Sequence, residues 1–317
     1  MGRVIRIFGT ILALSCIGFL VVQQAPNLPP LDMSSASLWT ALALALVCYV
    51  VSQFSAAEAW RSILSLWGVK IAPRLARGQP MVSQIGKYIP GNVAHLFGRL
   101  VIGRRDGVAG GILAASMALE VAITLGVGLS VAGILLLVLP EAFPNLAAEY
   151  PDLATRLLPV SIAVLFAIGI GVGAIILKSR LRAIGVPRPT VSALGRPLAL
   201  HLASFSVLGV SLWATAIAVA PNVAPGLVTC TLIFAFAWAA GFVVPGAPGG
   251  IGVRDSIIVL GLAASMGEGS GLAIALLHRA VSVLGDIATF GFGWNMRRAQ
   301  GQQHPRNGPK PASFVAD

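Results

Sequence analysis

Charged residues are scarce in this chain. Of its 317 residues, 22 are Lys or Arg and 11 are Asp or Glu, so 10% carry a charge whereas 56% are hydrophobic. A soluble domain of this length cannot hide so much apolar surface while exposing so few charges. Several apolar runs approach the roughly 20 residues that a helix needs to cross the bilayer core. The composition excludes a soluble domain and predicts an all-α fold, that of a polytopic helical membrane protein.

Cysteine and enzyme signatures are equally sparse. Cys16, Cys48 and Cys230 each lie in an apolar run without metal-ligand spacing, which predicts buried thiols and no disulfide framework. The sequence has no Walker loop, no Ser/His/Asp set and no metal-ligand cluster. We therefore expect no enzyme activity, no catalytic residue, no metal site and no cofactor.

The net charge of +11 is distributed between the apolar segments and not in an aromatic-interleaved basic patch, so no nucleic-acid partner is expected. With eight transmembrane helices, most Lys and Arg residues fall on one side, which the positive-inside rule makes cytoplasmic. Both termini of this multi-pass protein are then cytoplasmic. The eight spans are predicted at about 5–22, 38–55, 108–139, 159–177, 198–220, 227–244, 253–266 and 272–294.

One unusual segment occurs twice. Gly86-Lys87-Tyr88-Ile89-Pro90-Gly91 leads to Arg99, and Val244-Pro245-Gly246-Ala247-Pro248-Gly249-Gly250-Ile251-Gly252-Val253 leads to Arg254. Each Arg lies nine residues after the proline of a Pro-Gly pair. Pro and Gly break helices, and a broken helix inside a bilayer lines a cavity or is buried in protein. Two matched breaks, each followed by a cation, are typical of a transporter site.

These motifs predict two pseudo-repeated halves, about 1–140 and 155–296, in a membrane domain of residues 1–296. The segment 79–102 has basic residues at both ends, so we expect it to be re-entrant rather than to cross the membrane. The short span 253–266 is predicted to be its partner half-helix, with both motifs opening toward the cytoplasm. Residues 297–317, rich in Gln, Pro and Gly, are predicted to form a disordered cytoplasmic tail.

Ionisable residues inside apolar segments need a partner or a function. The helix after each break would direct backbone N–H groups and its positive dipole end toward the break, which favours an anion. Arg99 and Arg254 could then hold a phosphate through two hydrogen bonds each, and Lys87 could add a point charge. The alternative is that both Arg side chains extend to lipid headgroups.

Other charged residues have less defined roles. Glu120 is predicted near mid-membrane as a counter-ion to Arg99, Arg254 or Arg279, as a proton carrier, or as half of a structural ion pair. Arg279 and Asp286 share a helix face but are about 10 Å apart by helical rise, so each needs its own partner. His95 and His278 are interpreted as polar lining. The predicted substrate-binding residues are Lys87, Pro90, Gly91, Arg99, Glu120, Pro248, Gly249, Gly250, Gly252, Arg254, Arg279 and Asp286.

The two motifs resemble those of the flippase-like family named after the transmembrane region of lysylphosphatidylglycerol synthase. The family's second hallmark, Pro-Gly-Gly-(Leu/Ile)-Gly-Val-Arg-(Glu), is matched from Pro248 to Arg254, with Asp255 where Glu is usual. Its first hallmark, a Pro-Gly followed closely by a basic residue, is matched by Pro90-Gly91 with Arg99. The resemblance covers nearly the whole chain, but the synthase's aminoacyltransferase half has no counterpart here.

The resemblance implies lipid translocation in a bacterial inner membrane, with membrane lipids as the partners. Our leading hypothesis is a flippase-like transporter that binds the phosphate of an anionic or zwitterionic lipid, either a phospholipid or a lipid-linked glycan, between the two motifs. The alternative is a non-transporting accessory subunit of a membrane glycosyltransferase or polysaccharide assembly system, with envelope biosynthesis enzymes as partners. An intramembrane enzyme is disfavoured because catalytic signatures are lacking.

Overall fold

The structure, a computed structural model, describes residues 28–89, 93–138, 191–243 and 248–303. These ranges contain helices and no strand, and four helices are long and apolar enough to cross a membrane. The prediction of an all-α, polytopic helical membrane protein is confirmed. The helices are α1 (Ala36–Leu66), α2 (Pro73–Ser83), α3 (Ala94–Arg105), α4 (Gly110–Val138), α5 (Gly195–Val219), α6 (Leu227–Val243), α7 (Val253–Met266) and α8 (Glu268–Gln303).

Six predicted spans coincide with helices α1, α4, α5, α6, α7 and α8. The other two, at 5–22 and 159–177, lie outside the described residues, so the count of eight stays a prediction. Helix α1 continues to Leu66, and the region that contains the predicted re-entrant segment 79–102 forms α2 and α3. Helix α8 continues to Gln303, past position 297 where the sequence predicts the tail to begin.

Helices α1, α5 and α8 form the frame of the bundle. Serine hydroxyls of α1 and α5 donate to backbone carbonyls of the other helix in antiparallel order: Ser55 donates to Leu200 O at 2.7 Å, and Ser211 donates to Ala45 O at 2.8 Å. Helix α8 runs parallel to α1, because Tyr49 contacts Asp286 and Phe54 contacts Phe292 further along both helices. Apolar side chains of α5, α6, α7 and α8 fill the centre, including Leu212, Phe234, Ile258 and Ile274.

Helices α2 and α3 form a first hairpin, which turns back on itself. A Cβ placed on Gly86 would lie 2.9 Å from the backbone nitrogen of His95, so the segments before and after the break are in close contact. At the other end, Gln79 Nε2 donates to Asp106 Oδ2 at 2.8 Å, which joins the two arms at their base. The arms of 11 and 12 residues rise only about 17–18 Å each. The two arms turn back on each other, as the re-entrant prediction for 79–102 requires, and the position of this hairpin relative to a membrane stays a prediction.

Helices α6 and α7 form a second hairpin. Gly241 near the end of α6 faces Gly250, and Gly261 of α7 packs against Ile233 of α6, which places the two helices antiparallel. With 17 and 14 residues they rise about 26 and 21 Å, less than the bilayer core of about 30 Å. The sequence predicts α6 as a full span; the structure instead pairs it with the half-helix α7.

The two hairpins start at opposite ends of α8 and meet near its middle. The base of the first hairpin is tied to the C-terminal part of α8, where Arg297 pairs with Asp106 at 2.8 Å. The base of the second adjoins the start of α8, since Gly267 alone separates α7 from α8. Their tips face each other, with Gly249 beside Lys87 and Tyr88, and the expectation that both motifs open toward the cytoplasm stays a prediction.

Candidate functional site: a polar cavity between two hairpin tips

A cavity of about 170 Å³ lies between the hairpin tips and helices α1, α4, α5 and α6. Both half-helices begin beside it, because His95 of α3 and Arg254 of α7 contribute to its wall. Arg99 and Arg254, 155 positions apart in the sequence, line the same cavity, as predicted. Its polar lining consists of Tyr49, Gln53, Gln84, Lys87, His95, Arg99, Glu120, Thr124, His201, Ser204, Arg254 and Thr289.

Arg99 is neutralised by Glu120. Its Nη1 donates to Glu120 Oε2, and the two side chains are only 5% and 12% exposed. The guanidinium also lies over the ring of Trp60, 4.7 Å from the ring centroid, in cation–π geometry. Of the roles predicted for Glu120, the structure shows the counter-ion to Arg99. The pair faces the cavity but contributes no net charge to it.

Lys87, at the tip of the first hairpin, pairs with Asp286 of α8. The Nζ–Oδ2 distance is 2.7 Å, and the Asp286 side chain is fully buried. Two tyrosine hydroxyls donate to the same carboxylate, Tyr49 at 3.0 Å and Tyr88 at 2.5 Å. Asp286 thus joins α1, α8 and the hairpin tip, and its charge is balanced by Lys87.

Arg279 and Asp255 stabilise the turn before α7. Arg279 Nη2 lies 2.7 Å from Asp255 Oδ2, and its Nη1 donates to the carbonyl of Gly249 at 3.0 Å. Asp255 also accepts the backbone N–H of Gly252 at 3.1 Å, as a carboxylate at a helix start commonly does. Sequence reasoning predicted this N–H to be open for a ligand; the structure shows that Asp255 occupies it. As predicted, Arg279 and Asp286 have separate partners.

The glycines of the second motif form the turn that delivers Arg254 to the cavity. Gly249, Gly250 and Gly252 have φ values of 57°, 71° and 85°, which residues other than glycine rarely adopt. Gly249 and Gly250 line the cavity directly. Pro248 begins this short 3₁₀ turn. Pro90 and Gly91 of the first motif, like Pro245 and Gly246, which match them in their spacing to the Arg, lie outside the described residues.

Arg254 differs from the other cations of the site. It is 6% exposed and lies on the cavity wall, with its guanidinium 5.8 Å from the centroid of the Phe234 ring. Its Nη2 donates to the Ser282 hydroxyl at 3.3 Å, and its Nε has no hydrogen-bond partner within the described ranges. Among the described carboxylates, none forms an ion pair with it. Arg254 is therefore a buried cation whose charge these residues do not neutralise.

Equal spacing in the sequence places the two Arg residues differently on their helices. Arg254 is the second residue of α7, whereas Arg99 is the sixth residue of α3. In the second motif, residues Pro248–Gly250 form a 3₁₀ turn before the helix begins. At the matching distance from the Arg in the first motif, the chain already enters the first turn of α3. Only Arg254 thus lies at a helix start, where the dipole favours an anion.

Of the two histidines singled out in the sequence, one lines the cavity and the other does not. His95, at the start of α3, is buried and lines the cavity. His278 is buried against Phe234 and Ser211 and does not line the cavity. Its predicted role as cavity lining is wrong, whereas that of His95 is confirmed.

Sequence reasoning missed several polar residues that line the cavity or contact its charged groups: Tyr49, Gln53, Gln84, Thr124, His201, Ser204, Ser282 and Thr289. Tyr49 and Ser282 lie in apolar helices with no motif around them, although Tyr49 is one of only three tyrosines in the chain. A separate cluster holds the base of the first hairpin: Glu58 binds Arg61, Arg77 and Arg196. In the part of the chain that the structure describes, no group of three or more His, Cys, Asp or Glu residues could hold a metal ion.

Neither the comparison with protein-family models nor the search of curated proteins finds a match to this chain. The resemblance to the flippase-like family therefore rests on the two motifs alone and stays a prediction.

Proposed function

We propose that the protein is a lipid flippase-like transporter of a bacterial inner membrane, which binds the phosphate of a membrane lipid in the cavity between the hairpin tips. The observation that carries this proposal is the buried Arg254 guanidinium with no described carboxylate partner. Burying an uncompensated charge costs several kcal/mol. An anionic ligand that enters the cavity removes this penalty, and phosphate is the anion that a guanidinium binds with two parallel hydrogen bonds.

The two half-helices support the same conclusion. Both α3 and α7 begin at the cavity, so their positive dipole ends converge on it from opposite directions. Broken helices that meet in this manner are the arrangement by which many transporters hold an anionic group away from water. The resemblance of the motifs to flippase-like proteins adds that the anion belongs to a lipid.

The ion pairs at the tips provide a means of moving the lipid. Lys87 lies on the cavity wall and also holds the first hairpin to Asp286 of α8. The ligand is recognised with the Lys87–Asp286 pair intact; a lipid that is held more tightly once this pair has opened then stabilises a state in which the hairpin tip is released. A ligand shifts a conformational equilibrium only through such a difference in affinity between two states.

The proposal is tested by reconstituting the purified protein in vesicles that contain a lipid with a fluorescent acyl chain, and by measuring its exchange between leaflets with a membrane-impermeant quencher. We expect exchange well above that of protein-free vesicles, and a fall to the protein-free rate in Arg254→Gln. The matched control is Arg298→Gln, which removes an exposed Arg of α8 and should leave the rate unchanged. An Arg254→Gln variant as fast as the wild type would overturn the proposal. Lipid binding without exchange would favour the accessory-subunit hypothesis.

A further inference from the structure

We infer that the cavity selects a phosphodiester headgroup with a single net negative charge over zwitterionic headgroups and over dianionic phosphomonoesters. This inference rests on the proposed function in one respect, that a phosphate group is what Arg254 binds. It goes further because it assigns the charge of the ligand, which follows from the balance of charged groups around the cavity.

The charges of the described side chains at the cavity add up to a net charge of plus one. Lys87 is balanced by Asp286, and Arg99 is balanced by Glu120. Behind the wall, Arg279 is balanced by Asp255. Arg254 alone remains. The segments 90–92 and 244–247 at the two breaks contain only Pro, Gly, Asn, Val and Ala, so they add no charge to this balance.

A single net charge on the ligand makes the occupied site neutral. A dianionic phosphomonoester would leave one buried negative charge without a partner, and such charges are expensive in a largely apolar site. A zwitterionic headgroup brings an ammonium group that needs an acceptor. The carboxylates of Glu120 and Asp286 are already engaged by Arg99 and Lys87, so accepting the ammonium would require breaking one of those pairs.

The donors of Arg254 match the same ligand. Nη2 makes one long hydrogen bond to Ser282, and Nε makes none. The Nε and Nη2 atoms form one edge of the planar guanidinium, and this edge donates two parallel hydrogen bonds. A phosphodiester has two non-bridging oxygens that share one negative charge, so this edge and the single excess charge fit the same group.

The test compares three lipids with identical acyl chains: phosphatidylglycerol, phosphatidylethanolamine and phosphatidic acid. Each is titrated into detergent-purified protein at about pH 9, where the phosphomonoester is doubly charged, and binding is followed by the shift in melting temperature. We expect phosphatidylglycerol to bind at least about tenfold more tightly than the other two, the effect of one charge-assisted hydrogen bond gained or lost. Equal binding of all three lipids would overturn the inference. Soluble glycerophosphoglycerol, added as a competitor, shows whether the diester alone suffices or the acyl chains are also needed.

A charge change in the site sharpens the test. Glu120→Gln frees Arg99 and raises the excess charge from one to two, so the preference should move toward phosphatidic acid by about tenfold. Binding is read on the monodisperse folded fraction, because the variant also loses an ion pair. The matched control is Glu58→Gln, which removes a carboxylate with three Arg partners that does not line the cavity, and it should keep the wild-type preference. An unchanged preference in Glu120→Gln would contradict the charge balance.

The inference and the proposed function fail in different ways. Selective binding of phosphatidylglycerol in the absence of leaflet exchange would remove the transport function and leave the charge assignment standing. Leaflet exchange at equal rates for all three headgroups, with Arg254→Gln inactive, would support transport and overturn the selectivity.

Discussion

Arg254 donates its hydrogen bond to a neutral group, the hydroxyl of Ser282, over a distance of 3.3 Å. A hydroxyl accepts a hydrogen bond from a guanidinium but does not neutralise it. This relationship separates the role of Arg254 from that of a structural ion pair, because its removal leaves no described carboxylate stranded. Substitution of Arg254 should therefore abolish function without lowering the stability of the protein.

We expect Arg254→Ala to abolish lipid exchange while its melting temperature, measured without added lipid, stays equal to that of the wild type or rises. The reason is that the free protein no longer buries an unpaired charge, and functional residues are often destabilising in this sense. Arg254→Lys should keep part of the activity, since an ammonium supplies the charge without the planar fork. A sharply lowered melting temperature in the Ala variant would instead assign Arg254 a structural ion pair.

Glu120→Gln should show the reverse pattern for stability. It leaves the Arg99 guanidinium buried without its counter-ion, and breaking a buried pair in this way costs about 3–5 kcal/mol. The double variant Arg99→Met, Glu120→Gln removes both charges and should recover most of that loss. The free energies of unfolding of the two single variants and the double variant form a mutant cycle. Additive losses in that cycle would contradict the pair.

Gly285 and Gly291 of α8 offer a matched pair of substitutions. A Cβ on Gly285 would lie 2.3 Å from the ring of Tyr49, whose hydroxyl is held by Asp286, whereas a Cβ on Gly291 meets nothing within 4 Å. Gly285→Ala should destabilise the protein by about 1–3 kcal/mol through overpacking. Gly291→Ala should stabilise it by about 0.5–1 kcal/mol through helix propensity. Equal melting temperatures of the two variants would argue against close packing of α1 on α8.

Cysteine labelling tests the side on which the first hairpin begins and ends. The labelling positions are the exposed Arg74, near the start of the hairpin, and the exposed Arg105, at its end, in a cysteine-free background. Both Arg74→Cys and Arg105→Cys should react with an impermeant reagent from the same side, which the positive-inside rule makes cytoplasmic. Val223→Cys, in the exposed turn between α5 and α6, should react from the opposite side. Labelling of positions 74 and 105 from opposite sides would overturn the re-entrant geometry.

The sequence predicted the breaks and their cations but not the partners of those cations. Pro and Gly act locally, so the ends of α6 and the start of α7 could be placed within a residue or two from the sequence. The pairing of Arg99 with Glu120 was one of several possibilities, because the choice among Arg99, Arg254 and Arg279 depends on how helices pack across the bundle. Asp255 was visible in the motif, but its role at the N–H of Gly252 depends on a backbone turn that only the structure shows.

The direction of the second hairpin also lay beyond sequence reasoning. Hydropathy measures the length of an apolar segment, and the 17 residues of α6 are close to the length of a span. What makes α6 half of a hairpin is the contact of Gly241 with Gly250 and of Gly261 with Ile233, where missing side chains allow α7 to lie against it. Glycines that are useful for packing look the same in a sequence as glycines that are useful for turning.

Arg279 and Asp286 hold the two hairpin tips from a single helix, seven residues apart. Seven residues are close to two turns of α-helix, so both side chains leave α8 on the same face. Insertion of one residue between them would rotate one contact by about 100° relative to the other and move it about 1.5 Å along the axis. The tips would then no longer face each other across the cavity. Substitutions in this part of α8 change the strength of a contact, whereas insertions and deletions remove the alignment itself, so natural variation in the length of this helix should be confined to its ends.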